Sequence, residues 1–212
     1  MLTTEFYPAQ QAGSKRLLIA LHGLGDSVAG YRWLPAVLRL PWLNCLLVNA
    51  PDSYYGGYSW YDFAGEPEPG IRRSRELLFK LLDTQREQGF PSEQTTLFGF
   101  SQGCLMVWEM GLRYPHRLAG LVGVSGYAHE PQQTVKELSA QAIHQRFLIT
   151  HGTQDPLIPF EDARRQVDFL KAAGLRIQWR EFIKPHTIAG EEEIDVIREF
   201  IQAGYSAEAK VK

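Results

Sequence analysis

Short, continuously apolar runs recur along this chain and are separated by stretches in which apolar residues return every three or four positions. The apolar runs are Arg16–His22, Cys45–Asn49, Thr95–Phe100, Leu118–Ser125, Phe147–His151 and Ile177–Phe182. Uninterrupted apolar runs of this length predict strands covered on both faces. Thr3–Tyr7 is expected to add an edge strand. Helical spacing fills the gaps. Between Ile71 and Gln88, Ile71, Leu77, Leu78, Leu81 and Leu82 form one stripe opposite Arg and Glu, and Gly89 supplies a stop. Gln102–Tyr114 is amphipathic, and Phe160–Ala173 carries Ala163, Val167 and Leu170 before Gly174. Glu191–Ala203 opens with acidic residues suited to the positive end of a helix dipole and buries Ile194, Ile197, Phe200 and Ile201. Tyr31–Leu40 and Gln132–Gln145 predict two further helices. Strands alternating with helices imply an α/β fold, a mostly parallel central sheet with helices on both faces. Ala50–Gly70, rich in Gly, Pro and aromatics, reads as a long functional loop. A single domain over 1–212 is expected, with 206–212 as a frayed polar tail.

Composition narrows the function classes. A net charge of −2 provides no basic field for nucleic acid or an anionic membrane. No run approaches a membrane span, and Leu17–Leu21 is too short and too deep for a signal peptide, so a cytoplasmic location without membrane insertion is expected. Cys45 and Cys104 are too few for a disulfide framework and are expected as buried, reduced thiols.

The chemistry-bearing motif is Gly99-Phe100-Ser101-Gln102-Gly103. G-x-S-x-G is weak alone, but here it joins an expected strand to an expected helix. That tight turn presents a serine hydroxyl sharply and places backbone N–H groups where an oxyanion would form. Small flanking residues are needed because a Cβ would collide with the neighbouring strand or helix. A serine nucleophile needs a base, and the base needs a carboxylate to orient it. On this fold those partners follow in the order Ser, acid, His. Asp155, just past the strand Phe147–Thr150 and followed by Pro156, is the candidate acid. His186, between the last strand and the last helix, is the candidate base. His22 and His151, each preceding a glycine at a strand end, are expected as hydrogen-bonded residues lining the site.

An oxyanion needs two preorganised donors. The Gln102 N–H is one candidate. The other lies in Leu21-His22-Gly23-Leu24-Gly25-Asp26, with Leu24 as first choice and Gly25 as alternative. Tyr54, Tyr55, Tyr58, Trp60, Tyr61 and Phe63 crowd one segment, and Leu157 follows the candidate acid. Trp60 and Leu157 are expected to line an apolar acyl groove. Asp62 is expected to pin its loop.

Leu21-His22-Gly23-Leu24-Gly25-Asp26, Asn49-Ala50-Pro51, Trp60-Tyr61-Asp62, Gly99–Gly103, His151-Gly152-x-x-Asp155 and His186 together resemble the phospholipase/carboxylesterase family of small α/β-hydrolases, which includes acyl-protein thioesterases and bacterial carboxylesterases. The resemblance runs from about residue 16 to 203. It implies an α/β-hydrolase fold without a large cap domain, and hydrolysis of esters or thioesters of small to medium acyl chains through an acyl-enzyme. It also implies Ser101, Asp155 and His186 as triad, Leu24 and Gln102 as oxyanion donors, and no metal or organic cofactor. The substrate would be a small-molecule ester or thioester, an acylated protein or a lysolipid, and the protein a monomer or homodimer. The chain departs from the family pattern at Pro185, where glycine is usual, and at Cys104, where a small residue is common. Pro185 restricts Lys184 to extended geometry and stiffens the histidine loop. The competing readings are a catalytically silent binding protein, or a peptidase or lyase on the same fold. Silent relatives usually lose a triad member, and many such peptidases and lyases carry a sizeable cap for which 212 residues leave little room.

Overall fold

The computed structural model describes residues 2–206. Nine strands and six α-helices follow one another along them. The strands are β1 (Thr4–Tyr7), β2 (Leu17–Leu21), β3 (Asn44–Val48), β4 (Asp52–Tyr54), β5 (Gly57–Ser59), β6 (Thr95–Phe100), β7 (Gly120–Val124), β8 (Arg146–Gly152) and β9 (Arg176–Phe182). The helices are α1 (Leu34–Leu38), α2 (Pro67–Glu87), α3 (Gln102–Arg113), α4 (Pro131–Thr134), α5 (Phe160–Ala172) and α6 (Gly190–Ser206). Ser206 closes α6, and the rest of the tail expected to fray lies outside the described residues.

Seven strands form one sheet in the order β1-β3-β2-β6-β7-β8-β9. Only β1 runs antiparallel, against β3. Strands β2, β3 and β7 are buried at every position, which is why their sequences carry no alternation. Each face of the sheet is covered. Leu78 and Leu82 of α2, Leu105 of α3 and Val167 of α5 pack on one face. Leu34 and Leu38 of α1 and Ile197 and Phe200 of α6 pack on the other.

Strand order reverses between β2 and β6: the chain leaves β2 for β3 on one side, while β6 pairs with β2 on the other. That reversal opens a crevice at the carboxyl ends of the two strands, where ligands bind in open α/β sheets. The loop after β2 and the turn after β6 therefore meet.

Three expectations need correction. The Ala50–Gly70 segment is not all loop: β4 and β5 pair as a hairpin, turning through Tyr55 (φ 43°) and Gly56 (φ 90°), and α2 starts at Pro67 rather than Ile71. Proline suits a helix's first position because the missing N–H has no intrahelical partner there. Gln132–Gln145 is not one helix; α4 stops at Thr134, and a separate 3₁₀ turn covers Ala142–His144. Its polar, irregular spacing offers no apolar stripe to hold a long helix against the core. Likewise Tyr31–Leu40 divides into a 3₁₀ turn ending at Tyr31 and the short α1.

Candidate active site

The turn between β6 and α3 is sharp. Ser101 sits at φ 54° and ψ −115°, a conformation that side-chain-bearing residues rarely adopt and that persists only when the surroundings enforce it. Enforcement comes from the two motif glycines. A Cβ on Gly99 would strike the Gly103 backbone, and one on Gly103 would strike the Leu21 carbonyl. The Ser101 N–H donates to the Val124 carbonyl at 2.9 Å, tying the turn to β7.

Ser101, His186 and Asp155 come together across more than eighty residues of chain. His186 Nε2 lies 2.9 Å from the Ser101 hydroxyl, and Nδ1 lies 2.8 Å from Asp155 Oδ2. Asp155 is fixed from its other oxygen: Oδ1 accepts the Leu157 N–H at 2.9 Å and the Ile158 N–H at 3.0 Å. Burial alone would raise this carboxyl, but the Ile158 N–H, the His186 imidazole and the Leu157 N–H outweigh it and hold it below its ordinary range. Asp155 is thus held as a carboxylate against the His186 ring, whose Nε2 faces the Ser101 hydroxyl. The Phe100 ring packs against His186 with centroids 5.0 Å apart.

The loop after β2 is pressed against this turn: a Cβ on Gly23 would touch the Phe100 ring and lie 3.3 Å from Ser101 Cβ. The hairpin holds the loop from outside. Gly25 N–H donates to the Tyr58 carbonyl and Tyr58 N–H to the Asp26 carbonyl, both at 2.9 Å. With Gly25 engaged, the Leu24 N–H has no hydrogen-bond partner among the described residues. The Gln102 N–H is the first in α3, where no intrahelical carbonyl is available.

His22 and His151 are structural neighbours of the site. His22 Nδ1 donates to the Gly23 carbonyl at 2.7 Å while Nε2 accepts the Ala50 N–H at 3.0 Å. His151 Nε2 donates to the Ile158 carbonyl at 3.0 Å, and its buried Nδ1 has no partner among the described residues. Burial keeps both imidazoles below the ordinary histidine value, against the raising pull of the carbonyls they donate to.

The expected groove residues part ways. Trp60 is fully buried, with its indole N–H donating to the His22 carbonyl at 2.9 Å, so it has no surface to offer a substrate. Its backbone is held by the side chain of Gln102, a role the sequence did not reveal. Its Oε1 accepts the Trp60 N–H at 2.9 Å and its Nε2 donates to the Tyr61 carbonyl at 3.1 Å. Leu157 is 70% exposed beside the acid loop. Asp62 does pin its loop, accepting the Ala64 and Gly65 N–H groups.

Lys184, two residues before His186, was also missed. It is buried against Glu193 of α6, and lysine carries no sequence signal of burial because it is almost always exposed. No group of three His, Cys, Asp or Glu side chains among the described residues is arranged to hold a metal ion. Nor is any helix among them long and apolar enough to cross a membrane.

Known proteins resemble this chain in sequence and in fold. The family model described as phospholipase/carboxylesterase matches residues 6–204. Acyl-protein thioesterase 1 of Schizosaccharomyces pombe is 35% identical over 155 residues, covering 67% of this chain and 69% of the relative. Its namesake in Yarrowia lipolytica is 28% identical, covering 92% and 96%. Among solved structures, esterase PE8 superposes with a TM-score of 0.82 at 25% identity, covering 95% of this chain and 98% of its own.

Proposed function

This chain belongs to the phospholipase/carboxylesterase family of α/β-hydrolases, which makes it an esterase or thioesterase, and we propose that it works as a serine hydrolase through an acyl-enzyme on Ser101. The observation that carries the proposal is the continuous hydrogen-bonded chain Ser101–His186–Asp155, with links of 2.9 and 2.8 Å. Each group enters from the carboxyl end of a different strand, so the rigid sheet fixes their separation.

In this reading His186 Nε2 takes the Ser101 proton as Oγ attacks the substrate carbonyl carbon. Asp155 stays ionised and stabilises the imidazolium. The carbonyl oxygen becomes an oxyanion that receives the Leu24 and Gln102 N–H groups. His186 then returns the proton to the departing oxygen or sulfur, leaving the acyl group on Ser101. Water repeats the sequence against the acyl-enzyme and frees the acid.

The substrates are carboxylic esters or thioesters of small to medium acyl chains. The named relatives include acyl-protein thioesterases and an esterase, which supports both leaving atoms. Cys45 and Cys104 pack on opposite faces of the sheet as free thiols, in keeping with a reducing, cytoplasmic setting.

A fluorophosphonate probe tests the reading directly. It is expected to label the wild-type protein on Ser101 and to leave Ser101→Ala unlabelled. A folded wild type that resists labelling overturns the proposal. p-Nitrophenyl esters of increasing chain length, run beside acyl-thioesters, then define the acyl group.

A further inference from the structure

Beside the candidate triad the surface opens into a groove of about 480 Å³. Tyr31 and Trp33 come to it from the segment just before α1, Val37 from α1 itself, and Ile188 from the loop after His186. Phe100, the residue before Ser101, joins them. Tyr31 and Trp33 stack with centroids 6.2 Å apart, and Trp33 keeps 38% of its surface exposed. Two carboxylates, Asp26 and Glu191, also line it and make it unfavourable to an anion. Asp26 accepts the Ser27 N–H at 2.7 Å, and Glu191 pairs with Arg39 at 3.1 Å. The remaining character is apolar and aromatic.

The position of this groove relative to the reacting atoms decides what it holds. Phe100 both lines the groove and packs on the His186 ring, and Ile188 follows His186 by two residues. The groove therefore opens on the histidine side of Ser101. Leu157, on the acid loop, and the β4–β5 hairpin do not line it. During acylation the departing atom must sit within hydrogen-bond reach of His186 Nε2, because that nitrogen supplies its proton. Whatever is attached to that atom extends on the same side.

We infer that this groove binds the alcohol or thiol portion of the substrate, and that it favours an apolar, aromatic leaving group over an anionic one. The inference rests on the serine-hydrolase reading above. In the acylation step the Ser101 Oγ–carbon bond forms and the carbon–oxygen or carbon–sulfur bond breaks. The Ser101 proton passes through Nε2 to the leaving atom, and a neutral alcohol or thiol departs along the groove. An aromatic contact of this kind contributes about 0.5–1.5 kcal/mol beyond area burial, which corresponds to roughly 2- to 13-fold in kcat/KM.

Kinetics can isolate this site because esters sharing an acyl group share one acyl-enzyme. Butyrate esters of ethanol, phenol, 4-hydroxybenzoate and 2-naphthol vary only the leaving group. p-Nitrophenyl esters from acetate to octanoate vary only the acyl group. The wild type is expected to prefer the phenyl over the 4-carboxyphenyl ester, although 4-hydroxybenzoate is intrinsically the better leaving group. Trp33→Ala should lower kcat/KM for naphthyl butyrate about 10-fold relative to ethyl butyrate. The acyl-chain ranking and the deacylation rate after the burst should keep their wild-type pattern. Val37→Phe, which narrows the groove, should discriminate against naphthyl more than against phenyl. If Trp33→Ala instead reorders the acyl-chain series or changes deacylation, the groove holds the acyl chain and the inference is wrong. If both variants leave both rankings untouched, it is not a substrate site. Failure of the underlying serine-hydrolase reading appears separately, as absence of fluorophosphonate labelling on the wild type.

Discussion

The ammonium of Lys184 sits 2.7 Å from both carboxylate oxygens of Glu193, and the pair is shut away from solvent. Glu193 also accepts the Ala189 N–H at 2.6 Å and the Thr150 hydroxyl. One carboxylate thereby ties the end of β8, the segment just before His186 and the first turn of α6 together. The loop is further closed by the Gln154 N–H, which donates to the Lys184 carbonyl at 3.2 Å. Since Asp155 follows Gln154 and His186 follows Pro185, this knot sets the spacing of Asp155 and His186 from behind.

Lys184→Met is expected to leave Glu193 buried without its counter-charge. Breaking such a pair costs about 3–5 kcal/mol, whereas replacing both partners by apolar groups is often near neutral. Urea denaturation should show a large loss for the single variant and recovery of much of it in Lys184→Met with Glu193→Leu. A single-variant cost below about 1 kcal/mol would remove the pair from any anchoring role.

Gln102→Ala separates the backbone role of this residue from its side-chain role. Its amide satisfies the buried Trp60 N–H, and an orphaned buried donor costs about 1–3 kcal/mol. The variant should lose that much stability by denaturant unfolding yet still react with a fluorophosphonate, because the Gln102 N–H remains. Unchanged stability would mean that the hairpin is held by other contacts.

Gly57→Ala should act at a distance on the oxyanion loop. A Cβ there would collide with the Gly25 and Asp26 carbonyls, so the loop carrying Leu24 must shift. Displacing one oxyanion donor lowers turnover by roughly 10²- to 10³-fold. Steady-state kinetics should show the loss in kcat, with KM changed much less. A kcat within threefold of wild type would argue against Leu24 as a donor.

Acid should destabilise the fold below the ordinary histidine range. His22 and His151 are held below the ordinary histidine value of about 6.5, so the unfolded chain binds more protons than the folded one as pH falls. Their neutral forms stabilise fully above about pH 6.5, and that contribution is lost progressively below it. For His151 the reason is visible: a proton on Nδ1 would find no acceptor. Asp155, whose carboxyl is lowered, adds a further loss only as pH falls below its ordinary value of about 4. Thermal unfolding from pH 8 to 4 should show the first decline between about 6.5 and 5. His151→Gln should flatten it, and an unaltered slope in that variant would assign the decline elsewhere.

What was legible in the chain was local chemistry. Continuous apolar runs such as Leu17–Leu21 are buried on both faces wherever they pair, so they announced the parallel sheet without any knowledge of partners. Gly99 and Gly103 announced the elbow because a Cβ there has nowhere to go. The serine, acid and histidine could be placed because each sits just beyond a strand, and strands of a parallel sheet all end on one side.

Contacts between distant segments were not legible. Tyr55 and Gly56 turn a hairpin whose strands are only three residues each, too short to show alternation. Trp60 reads like an exposed groove residue until Gln102, a polar residue of another element, covers its backbone. Lys184 reads as a surface charge until Glu193 meets it in the interior. Burial is a property of what lies opposite, and sequence spacing carries no information about that. The chain by itself therefore determined which residues can react and in what order they occur. Only the tertiary structure decided which side chains hold them in place and where a substrate has room to lie.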